Sequence, residues 1–527
     1  MSQILQDFNS LPSELELATY RRIGFREYSK TRFLQVVTMM QTFTSHTEPP
    51  FPLGNQHRLF IGGDWVESNE YIEIRFPYDR SILVGRVAWA SRHDVDAALE
   101  LAREGARTMA AWPLHRRAAL LHRVADLLAA RTEHFSSLIV YEVGKPIRDA
   151  RLEIARAVVA LHLAAEEATR IHGEVVPMDA VAGGEGRIAY TVRRPLGIIA
   201  GITGFNFPLL LDCHKIAPAL AAGNAIILKP APETPIAALE LAAIFAEAGT
   251  PRGALSVLPG DDDIGEQLVR DERVAMITFT GSSAVGKHIR AVAGYKRVTL
   301  ELGNNSPLII EADADLERAV ARTVAGGYYA VGQACIAVQR IYAQRTICQE
   351  FAQRLVVQVG KLRTGDPRDP ATDSSTLVSE QATQRVLAVL QDAQEQGAQL
   401  LVGGELHPDG CITPAVLLGV TPTMQICQSE LFGPAVAIAP YDTLDEAIEL
   451  ANSTPFGLQA GIFTNNLQAA LHAAERLDFG GVHINEVSSY RADHMPYGGV
   501  KASGMGREGP RYAMEEMSET KIIIITM

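Results

Sequence analysis

Between Leu196 and Gly303, five short runs of apolar and β-branched residues alternate with stretches of helical pattern. The runs are LGIIAGI, AIILKP, ALSVLP, AMITFTG and VTLELG. Strands joined by crossovers of this length must be parallel, and such crossovers are almost always right-handed. The segment therefore predicts a doubly wound α/β sheet, an architecture that suits nucleotide binding but does not by itself define a function.

The chain continues this α/β pattern on both sides of that segment. Residues 97–171 have apolar residues at helical spacing, as in RAALLHRVADLLAAR, and are predicted to cover one face of the sheet. Residues 306–483 carry a second series with the strand candidates LLVGGEL, ITPAVLLGV and AVAIAPY, which predicts a second α/β domain. The last residues, 521–527, are a β-branched strand that would be an aggregation hazard at a bare edge. We therefore expect this strand to pair with another subunit.

Charge and composition exclude several classes of protein. The 527 residues carry a formal net charge of -13, which argues against nucleic acid or an anionic membrane as a partner. No apolar run reaches the roughly 18 to 20 residues that span a bilayer, and the first residues lack the pattern of a signal peptide. We therefore expect a cytoplasmic protein. The five cysteines have no paired spacing, which fits a reducing compartment and predicts no metal site.

Three residues could together carry out the oxidation of an aldehyde. Cys335 lies in GQACI, where small neighbours leave its sulfur approachable, although a lone cysteine is more often a core residue. Glu301 ends the strand VTLELG, at the edge where doubly wound sheets bind ligands, although a solvated acid is as good an interpretation. Asn206, in TGFNFP, could donate to an oxyanion. A thiol nucleophile, an amide donor and a carboxylate base are what attack and thioester hydrolysis require.

The sequence resembles the aldehyde dehydrogenase superfamily from about Leu59 to its end. Seven motifs in the order of the family carry the resemblance: TGFNFP, ILKPAPETP, FTGSSAVG, LELGNNSP, GQACIAVQR, ELFGPAVAI and PYGGVKASGMGREG. The resemblance implies NAD(P)-dependent oxidation of an aldehyde to a carboxylic acid, on two doubly wound α/β domains with a bridging β-hairpin near residues 187–194. It is nearest to the lactaldehyde, phosphonoacetaldehyde and non-phosphorylating glyceraldehyde-3-phosphate dehydrogenase branches.

The resemblance also implies roles for single residues. Cys335 would be the nucleophile, Glu301 the base that activates water, and Asn206 with the Cys335 backbone N–H the oxyanion hole, while Glu508 is a candidate proton relay. The residues implied to bind the cofactor are Ile202, Thr203, Lys229, Gly281, Ser282, Gly286, Leu302, Glu430 and Phe432. The residues implied to line the aldehyde site are Arg156, Phe207, His214, Tyr329, Arg491 and Tyr497. We expect Arg156 and Arg491 to form an anion clamp, because guanidinium groups bind carboxylates well.

The implied domain plan has four parts. Residues 1–56 would be an N-terminal extension whose composition allows disorder. Residues 57–178 and 195–304 would form the cofactor-binding domain, and residues 305–505 the catalytic domain. Residues 179–194 and 506–527 would be strands of oligomerisation, which predicts a homodimer or homotetramer.

Some positions depart from the usual pattern of the family. Asn304 and Asn305 replace a glycine and a lysine, and Pro232 replaces the acid that usually follows the ribose-binding lysine. Loss of that acid leaves NADP possible, whereas the acidic residues 261–263 would repel a 2′-phosphate and favour NAD. Ala334 stands where phosphate-handling members often have arginine, which favours a smaller or less charged substrate.

Three other functions compete with this interpretation. Residues 281–288 nearly match a P-loop, but His288 stands where a magnesium-binding serine or threonine belongs. A relative that transfers the acyl group to coenzyme A is disfavoured by Glu301, which suits water activation better. A catalytically silent member of the fold is disfavoured because Cys335, Glu301 and Asn206 are present together.

Overall fold

The computed structural model describes residues 49–527, so most of the predicted N-terminal extension lies outside the described residues. The strands are β1 (Asn55–His57), β2 (Leu59–Ile61), β3 (Asp64–Val66), β4 (Tyr71–Arg75), β5 (Leu83–Ala88), β6 (Val175–Val176), β7 (Arg187–Pro195), β8 (Ile198–Ile202), β9 (Ala225–Lys229), β10 (Leu255–Val257), β11 (Met276–Thr280), β12 (Arg297–Glu301), β13 (Ser306–Ile310), β14 (Val338–Gln344), β15 (Gln399–Val402), β16 (Ala415–Leu418), β17 (Ala435–Tyr441), β18 (Gln459–Phe463), β19 (Gly481–Ile484), β20 (Gly504–Met505) and β21 (Ser518–Thr526). The helices are α1 (Arg92–Ala111), α2 (Leu114–Ala129), α3 (Thr132–Val143), α4 (Ile147–Ala168), α5 (Pro208–Ala222), α6 (Pro235–Ala248), α7 (Asp262–Arg270), α8 (Ser283–Val292), α9 (Leu316–Tyr328), α10 (Arg345–Val359), α11 (Glu380–Glu395), α12 (Gln425–Gln428), α13 (Leu444–Asn452), α14 (Leu467–Arg476) and α15 (Pro510–Glu516).

The first large sheet confirms the predicted doubly wound pattern. Its strand order is β20-β12-β11-β8-β9-β10-β2-β3, and the five strands from β12 to β10 are parallel. Each crossover between β8 and β12 carries one helix, from α5 to α8. The order of connection reverses between β8 and β11, so the carboxyl ends of these strands flank a topological switch point, where such sheets bind ligands.

The second large sheet confirms a second α/β domain. Its order is β15-β16-β17-β14-β13-β18-β19, and every pairing is parallel except that of β15 with β16. The three predicted runs form β15, β16 and β17. Of the other four strands, β13, β14 and β18 are buried, largely apolar runs beside helices, which periodicity alone does not separate from helical segments.

The C-terminal strand has a partner within the chain. Strand β21 pairs antiparallel with β7 along its whole length, and β6 pairs with the other edge of β7. The expectation that another subunit pairs with β21 stays a prediction, and it now applies to the outer edge of this strand. Strand β21 is an edge strand of this three-stranded sheet, and its residues Ile522, Ile524 and Ile525 are exposed. Its outer edge is the one that a second subunit could use.

Two boundaries of the domain plan differ in the structure. Strand β20 pairs antiparallel with β12, so residues 504 and 505 belong to the first sheet, although the plan assigned them to the catalytic domain. Strand β6 extends the small sheet back to residue 175, before the predicted start of the bridging segment.

Helices α1 to α4 confirm the helical pattern predicted between residues 97 and 171, and their apolar residues pack into the cores around the first sheet. Helix α4 packs against α5, which follows β8 and leads away from the switch point. Within residues 49–527, no helix has the length and apolar character needed to cross a bilayer.

Candidate active site

The loop that carries Cys335 has an unusual backbone. Helix α9 ends at Tyr328, and the next turn contains Ala330 and Val331 with φ of 49° and 60°. Left-handed conformations are unfavourable for residues with a β-carbon, by roughly 1–2 kcal/mol each. Gly332 follows with φ of 69°, and a β-carbon there would lie 2.1 Å from the Gly433 carbonyl oxygen. The loop must therefore be held in place by its surroundings.

Three hydrogen bonds from different parts of the chain hold this loop. The Ala330 N–H donates to Asp149 Oδ2 at 3.0 Å, and the Val378 N–H donates to Gln333 Oε1 at 3.2 Å. The Asn206 side-chain amide donates to the Gln333 carbonyl oxygen at 2.9 Å. These contacts fix the backbone on which Cys335 stands.

Cys335 is the partly exposed cysteine of the chain, and the other four are buried. Its Sγ lies 3.1 Å from the Tyr497 hydroxyl oxygen. Burial raises the pKa of the Cys335 thiol to about 12, while the hydrogen bond with Tyr497 and the charge of Arg491 lower it. The thiol is therefore protonated at neutral pH in this state of the site, so a nucleophilic role requires stabilisation of its thiolate.

Asn206 precedes helix α5, whose first turn is anchored by a buried acid. The Leu209 and Leu210 N–H groups donate to Glu153 Oε1 at 3.0 and 3.2 Å. The other oxygen of Glu153 accepts a hydrogen bond of 2.6 Å from the buried Lys145 ammonium group. Because the amide of asparagine has two N–H groups, the bond to the nucleophile loop leaves one of them for another acceptor.

Glu301 ends β12 at the carboxyl edge of the first sheet, as predicted. It is buried, and neither carboxylate oxygen has a hydrogen-bond partner among the described residues. Burial and the charge of Glu508 raise the pKa of Glu301 well above its usual value. At Gly498 a β-carbon would lie 2.8 Å from Glu301 Oε1, so a glycine is needed to leave the carboxylate its space.

A first group of charges surrounds Asp493. Arg156 binds this carboxylate with two hydrogen bonds, of 3.1 and 2.8 Å, and His214 Nε2 lies 3.3 Å from it. Burial would raise the pKa of Asp493, but Arg156 and His214 hold it well below its usual value. Burial lowers the pKa of His214, with a further contribution from the charge of Arg491, which favours the neutral imidazole.

A second group of charges surrounds Glu508. Its oxygens accept hydrogen bonds from Arg491 Nη2 at 3.2 Å and from Lys215 Nζ at 3.3 Å. Burial would raise the pKa of Glu508, but Lys215, His214 and Arg491 hold it down to about 2. Arg491 also lies over the ring of Tyr497, at 3.6 Å from its centroid, and its buried Nε has no hydrogen-bond partner among the described residues.

The structure thus brings the six predicted aldehyde-site residues into one neighbourhood but alters the predicted clamp. Both guanidinium groups already contact carboxylates, so Arg156 and Arg491 are not two free cations. Phe207 and Tyr329 form a ring pair with centroids 5.5 Å apart beside the nucleophile loop.

Several of the predicted cofactor residues lie at the carboxyl ends of the strands that flank the switch point. Ile202 ends β8 and Thr203 follows it, and the Thr203 hydroxyl donates to Asp212 at 2.8 Å. Gly281 and Ser282 follow β11, and Ser282 caps helix α8 by accepting a hydrogen bond from the Val285 N–H. The free N–H groups at such a helix start suit a pyrophosphate.

Two glycines keep space open around this region. A β-carbon at Gly286 would lie 2.5 Å from the Leu302 side chain, and one at Gly303 would lie 2.5 Å from the Glu430 carboxylate. The Asn304 N–H donates to Glu430 Oε1 at 2.9 Å, and burial raises the pKa of Glu430 to about 7.

Lys229 and Phe432 complete the cofactor set. Lys229 ends β9, is buried, and lies near helix α7. Phe432 has φ of 53°, and its ring meets that of Phe205 edge to face at 5.8 Å. A buried cation at a strand end, a capped helix start and glycine-lined space fit a nicotinamide dinucleotide.

Comparison with known proteins agrees with this geometry. The model of the aldehyde dehydrogenase family matches residues 65–523. The chain belongs to the aldehyde dehydrogenase family. It is an NAD(P)-dependent enzyme that oxidises aldehydes, as the sequence motifs implied.

Three similar proteins indicate which branches of the family this chain resembles. The 3-sulfolactaldehyde dehydrogenase of Priestia aryabhattai is 45% identical over 474 residues, which cover 90% of this chain and 98% of the relative. The lactaldehyde dehydrogenase of Methanocaldococcus jannaschii is 38% identical over 473 residues, which cover 89% and 100%. The crystal structure of glyceraldehyde-3-phosphate dehydrogenase GapN from the same organism, complexed with NADP, has a TM-score of 0.84 and 37% identity, over 87% of this chain and 100% of that one. These agree with the predicted branches.

The two asparagines that depart from the family pattern are structural supports here. The Asn304 side chain donates to Ser306 Oγ at 2.7 Å. The Asn305 and Gln339 side-chain amides both donate to the Ser429 carbonyl oxygen at 2.9 Å, next to Glu430. These hydrogen bonds stabilise the loop that carries the Glu430 carboxylate.

Sequence reasoning missed the acids that anchor the site from helix α4. Asp149 holds the nucleophile loop, and Glu153 holds the first turn of α5. The signal was present, because two acids four residues apart interrupt an otherwise apolar helix face in IRDARLEIARAVVAL. A buried acid needs partners, and both of these acids accept hydrogen bonds from backbone N–H groups of the site.

Proposed function

We propose that this aldehyde dehydrogenase oxidises a three-carbon 2-hydroxyaldehyde that carries an anionic group, with NAD as the preferred cofactor. The observation that carries the proposal is that Cys335, Asn206 and Glu301 lie in one site with the guanidinium groups of Arg156 and Arg491. Each of these residues has a separate task.

Cys335 is the nucleophile in this proposal. Its sulfur attacks the aldehyde carbon. The resulting oxyanion accepts hydrogen bonds from the free N–H of the Asn206 amide and from the Cys335 backbone N–H. An oxyanion donor of this kind contributes roughly 3 kcal/mol in known cases. The nicotinamide cofactor, when bound, supplies the hydride acceptor that converts the adduct into a thioester.

Glu301 activates the water that hydrolyses the thioester. Both of its oxygens lack partners among the described residues, so they are available to a water molecule. Its raised pKa makes it a better base than an ordinary glutamate, once it is ionised. This supports release of a free acid over transfer to coenzyme A, and it argues against a catalytically silent scaffold.

The charge balance favours an anionic substrate. Three basic side chains, Arg156, Lys215 and Arg491, contact the carboxylates of Asp493 and Glu508. Burial raises the pKa of Glu301, which disfavours a further negative charge beside them. Basic side chains therefore outnumber the paired carboxylates by one. Arg491 Nε lies 3.8 Å from Asp493 Oδ1 and makes no hydrogen bond among the described residues, so it is a donor that an anionic group could use.

The substrates named for the relatives support a three-carbon substrate. Sulfolactaldehyde, lactaldehyde and glyceraldehyde 3-phosphate are all three-carbon 2-hydroxyaldehydes, and two of them carry an anion. Ala334 stands where phosphate-handling members often have arginine. A sulfonate or carboxylate therefore fits better than a phosphate.

The surroundings of Lys229 support NAD. Burial lowers its pKa, while the charges of Asp262, Asp261 and Glu233 raise it, so three acids lie near the lysine. A 2′-phosphate on the adenine ribose would meet this negative charge. We also propose a cytoplasmic homodimer or homotetramer, supported by the five free cysteines and the open edge of β21.

The test is steady-state kinetics with 3-sulfolactaldehyde, lactaldehyde and glyceraldehyde 3-phosphate, each with NAD and NADP. We expect the highest kcat/KM for 3-sulfolactaldehyde with NAD and no turnover by Cys335→Ala. Arg491→Gln should raise KM for the anionic aldehyde at least tenfold more than for lactaldehyde. An equal effect on both aldehydes would refute the role of Arg491 in substrate choice, and turnover by Cys335→Ala would refute the mechanism.

A further inference from the structure

Tyr497 makes a direct contact with the proposed nucleophile that substrate binding does not explain. Its hydroxyl oxygen lies 3.1 Å from Cys335 Sγ, and the whole residue is buried. The backbone of Tyr497 is pinned by two hydrogen bonds with Glu508, of 3.1 and 2.6 Å. These two backbone hydrogen bonds fix the position from which the Tyr497 phenol reaches the Cys335 sulfur.

Arg491 strengthens the phenol as a donor. Its guanidinium carbon lies 3.6 Å from the centroid of the Tyr497 ring, which is within the range of a cation–π interaction. A cation over the ring withdraws electron density, so the O–H becomes a stronger donor. Arg491 is held in this place by its contact with Glu508.

We propose that Tyr497 is a catalytic residue whose hydroxyl donates a hydrogen bond to the thiolate of Cys335, and that Arg491 is a positioning residue that acts through the ring. The inference rests on the proposed role of Cys335 as nucleophile. Tyr497 keeps its proton throughout, and the proton of the thiol leaves to water before attack. The hydrogen bond is released as the sulfur bonds to the aldehyde carbon.

The direction of the hydrogen bond follows from which group holds its proton more firmly. A phenol ordinarily holds its proton more firmly than a thiol, with reference pKa values of about 10 and 8.5, and burial raises the pKa of both Tyr497 and Cys335, so the phenol is the donor when the thiol ionises. The charged and titratable groups that face Cys335 are Glu430 and Glu301, which raise the pKa of the thiol, and Tyr497 and Arg491, which lower it. Tyr497 and Arg491 therefore oppose two carboxylates at the nucleophile.

The test is the pH dependence of Cys335 alkylation by iodoacetamide, a neutral reagent that does not use an anion site. Tyr497→Phe removes only the hydroxyl and keeps the ring under Arg491. We expect alkylation at pH 7.5 to slow about tenfold, because the midpoint rises by about one pH unit. We also expect kcat/KM for sulfolactaldehyde and for lactaldehyde to fall by the same factor, with KM nearly unchanged.

Tyr328→Phe is the matched control, since its buried hydroxyl donates to the Ala415 carbonyl oxygen at 2.8 Å and does not reach the sulfur. It should alkylate within twofold of the wild type. Arg491→Gln, which keeps Tyr497, should shift the midpoint in the same direction by a smaller amount. Wild-type alkylation midpoints in both Tyr497→Phe and Arg491→Gln would overturn the inference. Turnover by Cys335→Ala would instead overturn the proposed function.

Discussion

Replacement of Glu153 by alanine tests how the oxyanion donor is positioned. The substitution removes the acceptor of the Leu209 and Leu210 N–H groups and leaves the buried Lys145 without its carboxylate. Hydrogen bonds to a charged group contribute about 1.5–3 kcal/mol each. Loss of one partner of a buried ion pair destabilises by about 3–5 kcal/mol. Both estimates refer to contacts of the same carboxylate and cannot simply be added, so we expect the free energy of unfolding to fall by about 4 kcal/mol.

The substitution is also expected to lower the activity of the molecules that remain folded. Glu153 holds the first turn of α5, and Asn206 lies immediately before that turn. A displacement of about 1 Å in a catalytic group can lower the rate about a hundredfold. We therefore expect kcat/KM to fall roughly 30- to 100-fold, mainly through kcat. Alkylation of Cys335 should change by less than about threefold, since Asp149 still holds its loop.

Glu142 provides a matched control for this experiment. It is also a buried acid, and it accepts hydrogen bonds of 2.7 and 2.9 Å from the Ile236 and Ala237 N–H groups at the first turn of α6. Helix α6 carries none of the proposed catalytic residues. Glu142→Ala should lower the thermal unfolding midpoint but leave kcat within about threefold at a temperature where both variants are folded. Comparable kcat values for Glu153→Ala and the wild type under those conditions would refute the reasoning.

Three further outcomes are expected. Glu508→Gln should move the midpoint of the kcat–pH profile to lower pH, because the negative charge that raises the pKa of Glu301 is lost while nearby cations remain; a shift to higher pH would contradict the coupling. Glu301→Gln should keep the first burst of NADH but lower steady turnover at least about 100-fold, as stopped-flow absorbance can show. Gly286→Ala places a β-carbon 2.5 Å from Leu302, so KM for NAD should rise roughly tenfold with kcat little changed.

The fold was largely predictable because strand and helix patterns alternate clearly along the chain. The strands β8 to β12 were all identified, and their crossover lengths dictated the parallel arrangement that the structure confirms. The partner of β21 was not predictable. Its β-branched residues indicate a strand that must be covered, but no local pattern states whether the same chain or another subunit covers it.

The candidate site was predictable only in part. Motifs identified Cys335, Asn206 and Glu301, because their chemistry needs specific residue types. No local signal marks the left-handed backbone at Ala330 and Val331, since both are ordinary residues and the conformation is imposed by distant partners. The raised pKa of Glu301 likewise depends on burial and on Glu508, which lies more than two hundred residues away in the sequence.

Helix α4 explains how distant segments keep their relative positions in the site. Asp149, Glu153 and Arg156 are spaced by four and three residues, so they lie on one face of the helix. Asp149 contacts the nucleophile loop, Glu153 contacts the first turn of α5, and Arg156 contacts Asp493 near the aldehyde site. Because the helix is rigid and all three contacts are hydrogen bonds to charged groups, a shift of one segment relative to another must break at least one of them. The mutual geometry of nucleophile, oxyanion donor and substrate loop is therefore set by one helix that itself touches no reacting atom.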